Sequence, residues 1–233
     1  MSRCLPLRTF STVLFLALVL PAVSGQETIL RETFASAGQL DGSPAETGGV
    51  SWVAAPPFQA DGTMGGGSEG GSATLEFQPQ SGYLYTLEAK IRELSAPGGS
   101  TGWIAVGFAN GQSPSAGDNH RFINNAPIGL AWALVRAGGG DHRALLGDTA
   151  APGNAGVEDN VAWIDDAIPP IGDGVDLRLV LDTTGGSGNW TAEWLAKLPG
   201  ETEYRVIRAK TPMLDEAVTS VGIANSEFDN ATG

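Results

Sequence analysis

Hydrophobic and polar positions alternate with a period of two along much of this chain. From Val175 to Asp182, Val175, Leu177, Leu179 and Leu181 share one face, and Asp176, Arg178 and Asp182 lie on the other. After the glycine-rich stretch TTGGSGN, Trp190, Ala192, Trp194 and Ala196 repeat the pattern against Thr191, Glu193 and Lys197. A period of two marks strands with one buried face, and the short polar stretch between them predicts a hairpin. Tyr83 to Arg92 alternates in the same way, with Tyr83, Tyr85, Leu87, Ala89 and Ile91 inward and Thr86, Glu88, Lys90 and Arg92 outward.

Two segments are apolar on both faces. Trp103 to Ala109 reads as a central strand covered on both sides. Ile128 to Arg136 sets Ile128, Leu130, Trp132 and Leu134 against Gly129, Ala131 and Ala133, so a layer over the small face must approach closely. Shorter strand signals lie at Thr28–Phe34, Ser51–Ala54, Phe58–Ala60, Ala73–Phe77, His142–Leu146, Val161–Ile164, Glu203–Lys210 and Val218–Ala224. Met64 to Ser72 (MGGGSEGGS) is low in complexity and is expected as a surface loop. The region 137–172 carries the weakest pattern. About ten strands at short spacing, with no helical periodicity between them, predict an all-β fold of two packed antiparallel sheets.

The first residues change the picture. Arg3 and Arg8 precede the uncharged run FSTVLFLALVL, and small residues follow from Ala22 to Gly25. This is the form of an export signal, with residues 1–25 removed and residues 26–233 forming one domain. Cys4 falls within the signal, so the mature chain has no thiol for disulfides, cysteine catalysis or cysteine–zinc sites. The expected location is extracellular or at the cell surface. The whole chain carries a net charge of −13, and the part after the signal is more acidic still. That balance opposes nucleic-acid and anionic-membrane partners.

The blocks GYLYTLEAKI, GWIAVGF, LAWALVR and VDLRLVLDTTGGSGNWTAEWL, in that order and spacing, resemble the LamG-like branch of the concanavalin A-like lectin/glucanase superfamily. The resemblance runs from about Thr28 to Gly233. Such modules recur in secreted and surface proteins of environmental bacteria. It implies a curved two-sheet jelly roll and a role in carbohydrate binding or adhesion. It also implies a closing last strand, whereas this sequence stops at Phe228–Gly233. The domain is therefore expected to lack its final strand and to leave an edge beside Thr28–Phe34 open to self-association.

The superfamily includes glycosidases, which need two carboxylates about 5–5.5 Å apart. The nearest match here is Glu227-Phe228-Asp229, and Ala231 and Thr232 stand where a further glutamate belongs. The chain also lacks a nucleophile elbow, a phosphate loop and a His-Glu-x-x-His motif. His120 and His142 sit in polar stretches and read first as solvated loop residues. The expectation is a protein without catalytic activity.

Two kinds of site remain. Acidic and amide residues in the loop-rich middle suit calcium, which takes six to eight oxygens; Asp118, Asn119 and Asp148 are the candidate ligands, although no calcium-loop spacing is present. Sugar binding needs aromatic platforms beside polar side chains. Trp103 and Trp132 lie in apolar strands and read as core. Trp190 and Trp194 share a face about 13–14 Å apart, as a stacking stripe or as packing against Leu177 and Leu179. Trp163 is the candidate loop platform, with Asp159, Asn160, Asp165, Asp166 and His142 as its polar neighbours. The reading is a non-catalytic module that binds a polysaccharide or cell-surface glycan. Its alternatives are an assembly subunit of an extracellular matrix or fibre, and a divergent glycoside hydrolase.

Overall fold

The computed structural model describes residues 27–56, 58–60, 64–65, 71–91, 103–111, 129–136, 142–148, 161–164 and 174–226. The described residues are all-β, with fourteen strands and no helix. In chain order these are β1 (Gly38–Gln39), β2 (Val53–Ala54), β3 (Gln59–Ala60), β4 (Met64–Gly65), β5 (Gly71–Glu76), β6 (Leu84–Ile91) and β7 (Trp103–Ala109). They are followed by β8 (Gly129–Arg136), β9 (Arg143–Leu146), β10 (Val161–Trp163), β11 (Val175–Asp182), β12 (Thr191–Lys197), β13 (Arg205–Pro212) and β14 (Ser220–Ser226).

Seven strands form one sheet in the order β10-β9-β8-β7-β14-β5-β2, four form a second in the order β13-β12-β11-β6, and β1-β3-β4 make a small third. The pairings are antiparallel, and the chain steps between the two main sheets at β5–β6, β6–β7, β10–β11 and β13–β14. One apolar cluster fills the space between them. It joins Leu177, Leu179, Leu181, Ala192, Trp194 and Ala196 of the four-stranded sheet to Ala73, Leu75, Val106, Phe108, Ala131, Ala133 and Val135 of the seven-stranded sheet. The result is a two-sheet antiparallel sandwich, as the strand spacing predicts.

The long strands follow their patterns closely. β11 and β12 alternate buried and partly buried residues as their sequences do, and β7 is buried on both faces between β8 and β14. Ala131 and Ala133 face the inter-sheet core, and the close approach expected over this small face is made by Trp194. Its indole N–H donates to the Trp132 carbonyl at 3.0 Å.

Two expectations are corrected. Thr28–Phe34 is not a strand; it makes one isolated bridge, Arg31 to Thr47. Side chains take over the ladder's role there. Glu32 accepts from the Phe34 N–H at 2.7 Å and from the Trp52 indole at 3.2 Å, and Phe34 adopts φ 57°, a left-handed conformation uncommon for a bulky residue. The glycine-rich stretch is not loop throughout, because Met64–Gly65 pair with β3 and Gly71–Ser72 belong to β5.

Candidate functional site

Of the sequence candidates, His142, Asp148 and the backbone of Trp163 fall among the described residues, at the β8–β10 end of the seven-stranded sheet. β9 pairs with β8 on one side, Leu145 opposite Trp132 and Arg143 opposite Leu134, and with the edge strand β10 on the other. In the second ladder Trp163 is the partner of Arg143 and Val161 the partner of Leu145. Trp163 therefore lies on an edge strand and not in a loop. Its acidic and amide neighbours Asp159, Asn160, Asp165 and Asp166 flank β10 in sequence and lie outside the described residues.

His142, expected as a solvated loop residue, is fully buried (0 %). Its Nδ1 accepts the backbone N–H of Arg136 at 3.1 Å, and its carbonyl accepts the N–H of Ile164 at 3.0 Å. An accepting Nδ1 places the proton of the neutral ring on Nε2. The residue thus ties the end of β8 to the start of β9 and to the end of β10. Its contribution at this edge is to hold Trp163's neighbour in place.

A cation supports β9 from the inner side. Arg208 of β13 donates from Nη1 to the Ala144 carbonyl at 2.7 Å, and its guanidinium lies 4.8 Å from the Trp194 ring centroid. Burial lowers its pKa from the usual guanidinium range, because desolvation disfavours the charged form. Arg143 and Arg208 were not singled out in the sequence. The signal available for Arg143 was its place beside His142 in a short apolar run, HRALL.

The outer face of the seven-stranded sheet has a floor of small residues. Gly107 and Gly222 are register partners, with Ala105 opposite Ala224, Ala109 opposite Ser220 and Thr74 opposite Gly222. A Cβ on Gly107 would overlap the Ala131 carbonyl and Trp132 Cβ, and one on Gly222 would overlap the Ala73 carbonyl. Both glycines are required by close backbone approach. Beside this floor Trp103, Trp132, Leu134 and Leu145 form a second buried cluster with Ala105, Ala109 and Ala224.

The tryptophans divide accordingly. Trp52, Trp103, Trp132 and Trp194 are buried, and Trp190 is half-buried against the main core. Trp190 and Trp194 are therefore scaffold and not a stacking stripe. Trp163 is left as the aromatic candidate, on the edge strand.

For metal, Asp118 and Asn119 lie outside the described residues. Asp148 is half-buried, two positions beyond the end of β9. No group of three or more His, Cys, Asp or Glu that could hold a metal occurs among the described residues. Calcium takes six to eight oxygens, and of the candidate ligands the described residues hold one carboxylate, Asp148. No described helix is long and apolar enough to cross a membrane.

No protein-family model matches the chain, and no curated protein matches it in sequence. Among solved structures it is similar to the carbohydrate recognition domain of Emp47p, at 12% identity over 85% of this chain and 86% of that one, with a TM-score of 0.47. It is also similar to the carbohydrate recognition domain of Emp46p in its potassium-bound form, at 14% identity over 83% and 82%, with a TM-score of 0.44. Likeness at this level adds no weight to the strand order and packing described above.

Proposed function

We propose that the chain is a secreted, non-catalytic β-sandwich module of LamG-like type that binds a polysaccharide or cell-surface glycan. The binding edge is β9–β10, where Trp163 serves as the aromatic platform. The observation that carries this reading is the β9–β10 ladder. It pairs the backbone of Trp163 with that of Arg143 and seats Ile164 on the His142 carbonyl, at the edge of the seven-stranded sheet. An aromatic beside hydrogen-bonding side chains is the combination that sugar recognition uses. The burial of Trp103, Trp132 and Trp194 also supports it, since those rings are committed to the interior.

The absence of catalysis rests on the sequence around Glu227 and Asp229, which lacks the further carboxylate. Incubation with laminarin and related glucans is expected to release no reducing sugar. The test of binding is retention on immobilised polysaccharides, with Trp163→Ala weakening it tenfold or more in a protein that unfolds at the wild-type temperature. Retention unchanged by that substitution sinks the assignment of the edge.

A further inference from the structure

The two edges of the four-stranded sheet are built differently. At β13 the register with β12 shifts twice, between Ala192 and Trp194 and between Trp194 and Leu195, and the strand ends at Pro212. Bulges and proline are the means by which edges are closed to further pairing. At β6 the register with β11 runs unbroken from Leu84–Asp182 to Ile91–Val175. Among the described residues no strand lies on the other side of β6.

The apolar residues of β6 are incompletely covered. Leu84 is 64% exposed, and Tyr85, Leu87 and Ala89 are half-buried, although their partners Leu181, Leu179 and Leu177 are fully buried. The backbone phase follows from the Thr183 N–H, which donates to the Tyr83 carbonyl at 2.9 Å. Odd-numbered residues of β6 therefore bond to β11, and the N–H and C=O groups of Leu84, Thr86, Glu88 and Lys90 point away from it.

We infer that β6 is a self-association edge whose occupant is β6 of a second copy, paired antiparallel about a two-fold axis at Leu87. In this register Leu87 faces Leu87 of the second copy, Tyr85 faces Ala89, Thr86 faces Glu88 and Leu84 faces the aliphatic stem of Lys90. No like charges stand opposite one another, and the outward-pointing backbone groups meet as hydrogen-bonded pairs. Centring on Glu88 instead would set Glu88 against itself, which is destabilising. The pairing is isologous and joins two four-stranded sheets into one of eight. Its outer edges are then the two bulged β13 strands, so pairing through this sheet ends at two copies.

Thr86 is exposed on the outer face and its substitution leaves the core untouched. Sedimentation equilibrium of the full chain, from micromolar to millimolar concentration, measures the dimer directly. Thr86→Glu sets a carboxylate opposite Glu88 at two symmetric positions and is expected to weaken the dimer about 3- to 10-fold; Thr86→Lys makes the opposite pairing and is expected to tighten it by a similar factor. Circular dichroism confirms that both variants are folded. A wild-type chain that stays monomeric throughout overturns the inference. So does a dimer that neither substitution moves, or that both move in the same direction, and so does growth beyond two copies.

Discussion

The indole N–H of Trp194 donates to the backbone carbonyl of Trp132 on the facing sheet, 3.0 Å away. Side chains normally separate two packed sheets by about 10 Å. An indole reaches the opposite backbone here because Ala131 and Ala133 leave it uncovered. The alternation of large and small residues in β8 is thus paired with one large residue in β12, and the bond fixes the position of the strand that carries the β9–β10 edge.

Trp194→Phe is therefore expected to destabilise the protein by about 2–4 kcal/mol, from lost volume and a lost buried hydrogen bond. Trp190→Phe is expected to cost about 1 kcal/mol or less. The Trp190 Nε1 is buried with no acceptor among the described residues, so its removal leaves no new polar group unpaired. Denaturant titration of the two variants checks the contrast.

Glu216 grips the β11–β12 turn with both carboxylate oxygens, accepting from the Gly188 N–H at 2.6 Å and the Trp190 N–H at 2.5 Å. Glu216→Ala leaves two backbone donors unpaired and is expected to cost about 1–2 kcal/mol. Hydrogen exchange should rise first at residues 184–190, while β7 and β8 remain protected.

Asp182 is held at a pKa of about 2, below its ordinary 3.8, by the ammonium of Lys210 and by the Thr184 hydroxyl and N–H. A carboxylate with a depressed folded pKa contributes stability that is full above the unfolded value and lost as pH falls through the folded one. The window is therefore about pH 4 down to 2. Lys210 is more than half exposed, which screens the pair and limits the contribution to about 1 kcal/mol. Asp182→Asn should lower stability by that amount at pH 7, and most of the difference from wild type should be gone by pH 2.

Gly107→Ala is expected to cost about 3 kcal/mol or more, since its Cβ has no room against the Ala131 carbonyl. Gly186→Ala meets open space and bears the strain of φ 77° alone, about 1 kcal/mol. Thermal unfolding of the pair distinguishes a contact-limited glycine from a turn glycine.

The long strands were legible because each is amphipathic or fully apolar over seven or eight residues. β6, β7, β8 and β11 fall within one or two positions of their predicted bounds. The two-residue strands β1 to β4 are too short to have a period, and Thr28–Phe34 has the composition of a strand while Glu32, distant from Trp52 in sequence, takes its hydrogen bonds. His142 looked solvated because its neighbours in sequence are polar. Its burial depends on Arg136, six residues earlier, and on β10, more than fifteen residues later. The glycines within WIAVGFA and SVGIA carried a readable signal of close approach, and it was the register of β7 with β14 that brought them face to face. At the candidate site the sequence supplied Trp163, and the ladder supplied its pairing with Arg143.

The most direct measurement of the central claim is binding of the wild-type chain and of Trp163→Ala to a panel of polysaccharides, with and without a chelator. The account predicts that at least one polysaccharide retains the wild type and that Trp163→Ala weakens it tenfold or more, with thermal unfolding unchanged. A panel with no binding in either condition, or equal retention of the two proteins, would contradict it.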